Sequence, residues 1–326
     1  MKLLKLVPES TNIKFLKLRV PFFTLSILLI LGSWAAVLTK GLNFGVDFAG
    51  GQEIHAVFPQ GETAPIPQLR DRLASLDKVD GPIVQQFGQP NEVSIRVKLP
   101  EGAEENTEIA AQMTREITTA LKDAYPAISI ERVDSVSGKV SGEFRNQAIF
   151  ALALAMLAVA VYIWIRFEWQ FGVGALYALF HDVSVTLGLF ALTQMEFSLQ
   201  IVAAILAIIG YSLNDTIVVY DRIRENLKKF RKMPLPELLD LSVNETLART
   251  VMTSLTLLAA LVPLLIYGPA SLFGLVAAIT AGLFIGTYSS VYLAAPLLIW
   301  MGVTSSSFVP QESAADRQEK LARGEA

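Results

Sequence analysis

Six long apolar runs, a charged fraction of only 17 % and one polar block of about 100 residues predict a polytopic α-helical membrane protein with six transmembrane helices and one α+β exported domain. Hydrophobic residues make up 52 % of the 326 positions, too many for a water-soluble domain, and the excess lies in blocks. Runs long enough to cross ~30 Å of hydrocarbon fall at Val20–Thr39, Ala148–Ile165, Phe171–Thr193, Phe197–Tyr220, Thr250–Tyr267 and Ser271–Met301.

Lys2, Lys5, Lys14, Lys17 and Arg19 precede the first run, and such a cluster stays in the cytoplasm. The run is long for a cleaved signal peptide and no small-x-small site closes it, so it reads as a signal anchor. An inside start and six spans put both termini in the cytoplasm. The expected organisation is an N-terminal cytoplasmic segment 1–19, a first span 20–40, a periplasmic domain 41–145, a five-helix bundle 146–301 and a polar, disordered tail 302–326. The loop 221–249 then also faces the cytoplasm, and its Arg222, Arg224, Lys228, Lys229, Arg231 and Lys232 agree. Pro236–Arg249 within it has amphipathic spacing and reads as a helix lying at the interface. No concentrated basic face suggests nucleic acid. The absence of cysteine removes disulfides and thiolate metal sites from consideration.

In the exported block, Gln52–Phe58 alternates apolar and polar residues, Ile66–Leu76 has helical spacing, and Ile83–Phe87 and Glu92–Leu99 are strand-like about the turn Gly88–Asn91. Glu104–Ala124 reads as a helix, with Asn106 or Thr107 as its cap, and Ile128–Val133 as a last strand. The order βαββαβ is that of a ferredoxin-like unit. Gly45–Gly51 reads as a tight turn that launches the domain. It is not a phosphate loop, because a membrane helix precedes it and a strand follows.

The residue that stands out is Asp215, within Gly210-Tyr211-Ser212-Leu213-Asn214-Asp215-Thr216 of the fourth apolar run. A carboxylate at that depth costs roughly 3 kcal/mol or more unless it is neutralised, paired or facing an interior cavity. Ser212 and Asp215 share a helix face, with Tyr211 close to it, and that face points into the bundle. The chemical reading is a protonatable group in a proton or cation pathway. Ser212, Asn214 and Thr216 also fit the plainer role of polar contacts locking helices. The apolar run closes one and a half turns beyond Asp215, setting it near the cytoplasmic end of its helix. Arg249 stands at the corresponding end of the next span: it either snorkels to the interface or pairs with Asp215 and tunes its charge state.

His181-Asp182 interrupts the third run. Adjacent residues on a helix point about 100° apart, and the only other histidine, His55, is in the exported block, so no metal site and no cofactor is expected. Two readings of Asp182 stay open, membership of the polar interior around Asp215 or a local pair with His181. Gly282-Leu283-Phe284-Ile285-Gly286 is a GxxxG close-packing face.

Four segments together, Gly45–Gly51, Gly210–Asn226 (GYSLNDTIVVYDRIREN), Asn244–Thr253 (NETLARTVMT) and Phe273–Pro296, resemble the SecF family of bacterial Sec export proteins, within the resistance-nodulation-division group. Val136–Gly142 is similar to that family's entry to the second span, with Ser137 where many members have proline. The resemblance implies a bacterial inner (plasma) membrane protein that works with SecD and the SecYEG channel, with YidC and YajC as further partners. Together they would use the proton gradient to help draw preproteins across the membrane. It also implies that Asp215 and Arg249 carry proton transport, with Asp182, Ser212 and Asn214 as secondary members of the pathway. No enzymatic activity is expected. A proton-driven small-molecule exporter is the competing function, although such pumps need two repeats and two large exported domains. An intramembrane aspartyl protease would need Asp182 and Asp215 as a proton-sharing pair, and neither lies in a Gly-x-Gly-Asp setting.

Overall fold

The computed structural model describes residues 8, 11–76, 79, 81–98 and 107–303, so Lys2, Lys5, Asn106 and the tail beyond Val303 lie outside the described residues. A 3₁₀ turn, Phe15–Leu18, leads into α1 (Arg19–Lys40). After α1 the glycine-rich segment is more than a turn: Val46–Ala49 forms a single helical turn, α2, and β1 (Gly51–Val57) follows at once. Gly51 makes this possible, with a φ of 117°. A Cβ there would also lie 2.5 Å from the carbonyl oxygen of Val97.

The α+β domain continues with α3 (Ile66–Ala74), β2 (Ile83–Gln86), β3 (Glu92–Val97), α4 (Thr107–Ala124) and β4 (Ser129–Val136). The strands form one antiparallel sheet in the order β2-β3-β1-β4, the ferredoxin-like arrangement that the βαββαβ pattern predicts. Ile54, Ala56, Val93, Ile95 and Val97 face Leu69, Leu73, Met113, Ile117 and Leu121 of the helices. The opposite face departs from expectation. Alternation suggests one solvated face, yet Glu53, His55, Ser94 and Arg96 are all buried, because that face lies over Asn43, Phe44 and Glu196 at the domain end of the bundle.

Five further long helices follow: α5 (Gly138–Arg166), α6 (Trp169–Thr193), α7 (Leu199–Lys229), α8 (Leu235–Tyr267) and α9 (Ala270–Ser289). A π-helical stretch, Ser290–Ala294, joins α9 to α10 (Ala295–Trp300). Among the described residues there are six spans long and apolar enough to cross a membrane. Ser137 caps α5, its hydroxyl accepting from the Val140 N–H at 3.3 Å, which accounts for a helix start well before the apolar run.

Two boundaries need correction. α7 runs on to Lys229, about four turns past Asp215, so Asp215 sits in the middle of its helix and not near an end. Nor is Pro236–Arg249 a separate helix lying in the interface: it is continuous with the fifth span as α8, and only 230–234 links α7 to α8. Both errors have one cause. Hydropathy marks the part of a helix that sits in hydrocarbon, while the backbone ladder continues through polar residues beyond it.

The core of the bundle is built on α6 and α7, with Phe171, Ala178, Phe190, Ile205, Tyr220 and Ile223 fully buried. α9 packs tightly along α7 through its GxxxG face: a Cβ on Gly282 would lie 2.4 Å from Ile208 Cγ1, and one on Gly286 3.1 Å from Ser212 Cβ.

Candidate functional site

The close approach of α9 to α7 brings a layer of hydroxyls to two buried carboxylates. Asp215 of α7 accepts from Thr250 Oγ1 of α8 at 2.5 Å and from Ser290 Oγ at 2.6 Å. Asp182 of α6 accepts at Oδ2 from Ser212 Oγ of α7 at 2.5 Å and from Ser289 Oγ at 2.8 Å. Its Oδ1 lies 2.9 Å from His181 Nδ1. Ser289 and Ser290 are consecutive and sit where α9 passes into the π-helical stretch, so one position of the chain serves both carboxylates. π-helical stretches inside α-helices are frequent at functional sites. Tyr220 Oη, fully buried, donates to the carbonyl of Ala294 at the end of that stretch.

Each serine has a second acceptor. Ser290 Oγ is 3.1 Å from the Thr287 carbonyl and Ser289 Oγ is 3.1 Å from that of Gly286. A hydroxyl with two acceptors and its own lone pairs can donate to a carboxylate or, turned, receive the proton of a carboxyl group. The cradle therefore offers hydrogen-bond partners to either charge state of Asp215. Tyr211, Ser254 and Thr287 form another hydroxyl chain across α7, α8 and α9, at 2.7 and 3.1 Å.

The two readings of Asp182 turn out to hold at once: it bonds His181 and joins the helix of Asp215 through Ser212. Arg249 does not meet Asp215 through any hydrogen bond or ion pair. Its neighbour Thr250 does, while Arg249 is exposed. Asn214 is exposed as well, next to buried Asp215.

At the domain end of the bundle a second polar cluster joins the sheet to the α6–α7 loop. Asn43 O accepts from the Phe197 N–H at 2.8 Å, and the Gly45 N–H donates to Phe197 O at 3.0 Å. Arg96 of β3 donates to Phe44 O and to Asn43 Oδ1, at 2.5 and 2.6 Å. Asp47 accepts from the Leu199 N–H at 2.9 Å, capping α7 from outside its own helix, where Ser198 supplies no side-chain cap. Glu53, His55 and Asp134 bring ligand-type atoms within 4.8 Å of one another, a gathering that residue spacing does not reveal because β4 supplies Asp134 across the sheet. These groups are committed to protein partners: Asp134 to Arg132 at 2.7 Å, and Glu53 to Ser94 and to Glu196 of the loop.

Residues 116–304 match the family described as protein export membrane protein SecD/SecF, C-terminal, and residues 35–54 match the SecD/SecF GG motif. The protein translocase subunit SecF of Cereibacter sphaeroides is 46 % identical over 92 % of this chain and 93 % of its own length. The chain belongs to the SecD/SecF family. It is also 36 % identical to the protein translocase subunit SecDF of Brucella abortus, over 92 % of this chain but only 38 % of that longer protein. The crystal structure of SecDF from Thermus thermophilus, a translocon-associated membrane protein, superposes with a TM-score of 0.81 at 30 % identity, covering 91 % of this chain and 40 % of that one.

The SecF-like motifs acquire a physical meaning from the contacts. GYSLNDTIVVYDRIREN lies on α7 and NETLARTVMT on α8, and the two are laced together. Asp215 bonds Thr250, Arg222 Nε bonds Glu245 at 2.7 Å, and Asn226 donates to Glu245 and Ser242 at 2.7 and 3.0 Å. Asn244 exchanges hydrogen bonds with both backbone groups of Ile13, tying the N-terminal segment to α8. Thr250, Ser289 and Ser290 are the site residues that sequence reasoning missed. Thr250 lies inside the recognised motif, and its signal was the unbroken polar run Arg249-Thr250 at the mouth of an apolar stretch.

Proposed function

We propose that this chain is the SecF half of an accessory unit of the Sec preprotein translocase, coupling the proton gradient, together with SecD, to late steps of export across the inner membrane. The observation that carries the reading is Asp215: a buried carboxylate in mid-helix whose hydrogen-bond partners are hydroxyls and not a cation. Loading and release of a proton there would rotate Ser290 between Asp215 and Thr287 and bias two packings of α7 against α8 and α9.

The complementary half is expected on SecD. This chain matches about two fifths of the SecDF proteins to which it is similar. Arg249 and Asn214 are exposed next to buried site residues, which supports assigning them to the face that a second half would cover. On this reading Arg249 acts at that seam, and Asp182 and Ser212 keep the neighbouring α6 in register with the relay. SecYEG, YidC, YajC and the preproteins are the wider set of proposed partners. The orientation proposed has both termini and the basic α7–α8 link inside, with Arg222, Arg224, Lys228 and Lys229 remote from the α+β domain, which is exported.

The test is Asp215→Asn in the assembled complex. Proton-gradient-stimulated export into inverted vesicles is expected to fall to the level seen without the complex, while copurification with SecD is unchanged. Normal stimulation by that variant would sink the proposal. Proton-coupled efflux of a small molecule by this chain alone would replace it with the exporter reading.

A further inference from the structure

The buried polar face of the sheet, Glu196 of the α6–α7 loop and the cavity of about 370 Å³ between them form a site that the transport reading does not use. We infer that the carboxyl groups of Glu53 and Glu196 bind one shared proton, and that this proton holds the α+β domain docked on the helix bundle. The inference is independent of Asp215, and its test reads the junction and not export.

The geometry leaves these two groups little else. Around them, Asp47 is committed to the N-terminus of α7, Arg96 to Phe44, Asn43 and Gln85, and Arg132 to Asp134. Glu53, 4 % exposed, is bonded to Ser94 Oγ, with His55 Nε2 at 3.5 Å. Its remaining partner is the Glu196 carboxyl. Glu196 in turn packs against Gly45 so closely that a Cβ there would lie 2.2 Å from Oε1. From α9 the cavity receives only the uncharged Ser271, Phe273, Gly274 and Leu275, and α5 offers Gly138 and Ser141 to Gly50 while Lys139 is exposed. Two carboxylates in hydrogen-bond contact cannot both be ionised, so the pair retains one proton. Burial first, then the charge and hydrogen bond of Glu53, push Glu196 up to about 8. Burial alone would raise Glu53 too, but hydrogen bonds from His55, Glu196 and Ser94 outweigh it and hold Glu53 at about 2.

The sign follows. When the domain lifts away, both carboxyls meet water and ionise in the ordinary range near 4.5. The docked state therefore holds more protons between that range and about 8. Glu196 favours docking most at low pH, and its contribution is lost as pH rises through about 8; the contribution of Glu53 is lost only on acidification towards about 2. Acidification of the domain side within the upper window tightens the dock.

The chain has no cysteine, so Asp71→Cys on α3 and Leu192→Cys on α6, both exposed, allow paired spin labels on the full chain in lipid nanodiscs. The spin–spin distance distribution is expected to be single at pH 6 and to gain a longer population through pH 8, the docked-to-undocked ratio falling by up to about tenfold per pH unit. Glu196→Gln is expected to stay docked from pH 5 to 9, and His55→Gln to keep the wild-type response. An unchanged distribution from pH 5 to 9 overturns the proposal, as does an Glu196→Gln variant that titrates like wild type. Loss of the response in His55→Gln alone assigns it to the imidazole and overturns it as well. A distribution that moves with Zn²⁺ at constant pH assigns the cluster to a cation instead. Should Glu196→Gln fail to insert, infrared difference spectra in an Asp215→Asn background decide the matter: a protonated-carboxyl signal must disappear as pH rises through about 8, and its absence overturns the shared proton.

Discussion

Asp215 in the helix bundle is held by the hydroxyls of Thr250 and Ser290, whereas Glu53 at the domain junction sits among His55, Ser94 and a second carboxyl, with Arg96 and Arg132 close by. The difference is in what each surrounding tolerates. Hydroxyls reverse their hydrogen bonds, so the cradle of Asp215 offers partners to a charged or a neutral group. A cluster of fixed charges favours one protonation state and makes the geometry depend on it. The loading and unloading proposed for Asp215 suits the first kind of site, and the pH-dependent docking proposed for Glu53 and Glu196 suits the second.

That contrast gives a ranked set of ways to break it. The largest expected effect is the complete loss of gradient-stimulated export in Asp215→Asn, because no neighbouring group replaces the titrating carboxyl. Thr250→Val with Ser290→Ala removes the reversible hydroxyls and leaves the carboxyl. We expect about a thirtyfold fall in the stimulated export rate, the scale set by losing two hydrogen bonds of ~1 kcal/mol each. A full-strength double variant would show that the hydroxyls only pack. Gly282→Val forces α9 away from Ile208 and should lower stability by roughly 1–3 kcal/mol, read as a lower Tm of the purified chain. An unchanged Tm would mean that the α7–α9 contact is looser than the structure has it. Asp47→Ala, which removes the cap supplied to α7, should cost about 1 kcal/mol and raise amide exchange in the first turn of α7 without affecting the turns around Asp215.

Much of this molecule was legible beforehand because membrane burial and sheet pleating write strong periodic signals. The six spans and the βαββαβ order follow from where apolar residues recur. The bounds of α5, α7 and α8 were not legible, since the residues that extend them, such as Asp221–Lys229, are polar and carry no hydropathy signal. Asp215 and Asp182 announced themselves by their cost in hydrocarbon. Ser289 and Ser290 did not, because a serine in an apolar helix usually bonds its own backbone, and theirs also do. Arg249 drew attention by its charge, and its neighbour Thr250 did not, yet on a helix one residue turns the side chain by about 100° and it is the Thr250 hydroxyl that bonds Asp215. The polar face of β1 and β3 misled for the opposite reason, since polar alternation normally means water and here means a second body.

The cap that Asp47 places on Leu199 has a mechanical consequence. α7 is an unbroken rod gripped at its first turn by the segment that launches the sheet, and Asp215 lies sixteen residues further along it, about 24 Å at 1.5 Å per residue. A stiff helix transmits a push or a twist over that length without any chain of side-chain rearrangements between. Leverage applied to the domain would thus arrive at the carboxylate as a small displacement of the whole rod, and a shift of the rod at Asp215 would return to the domain amplified by its reach beyond the membrane.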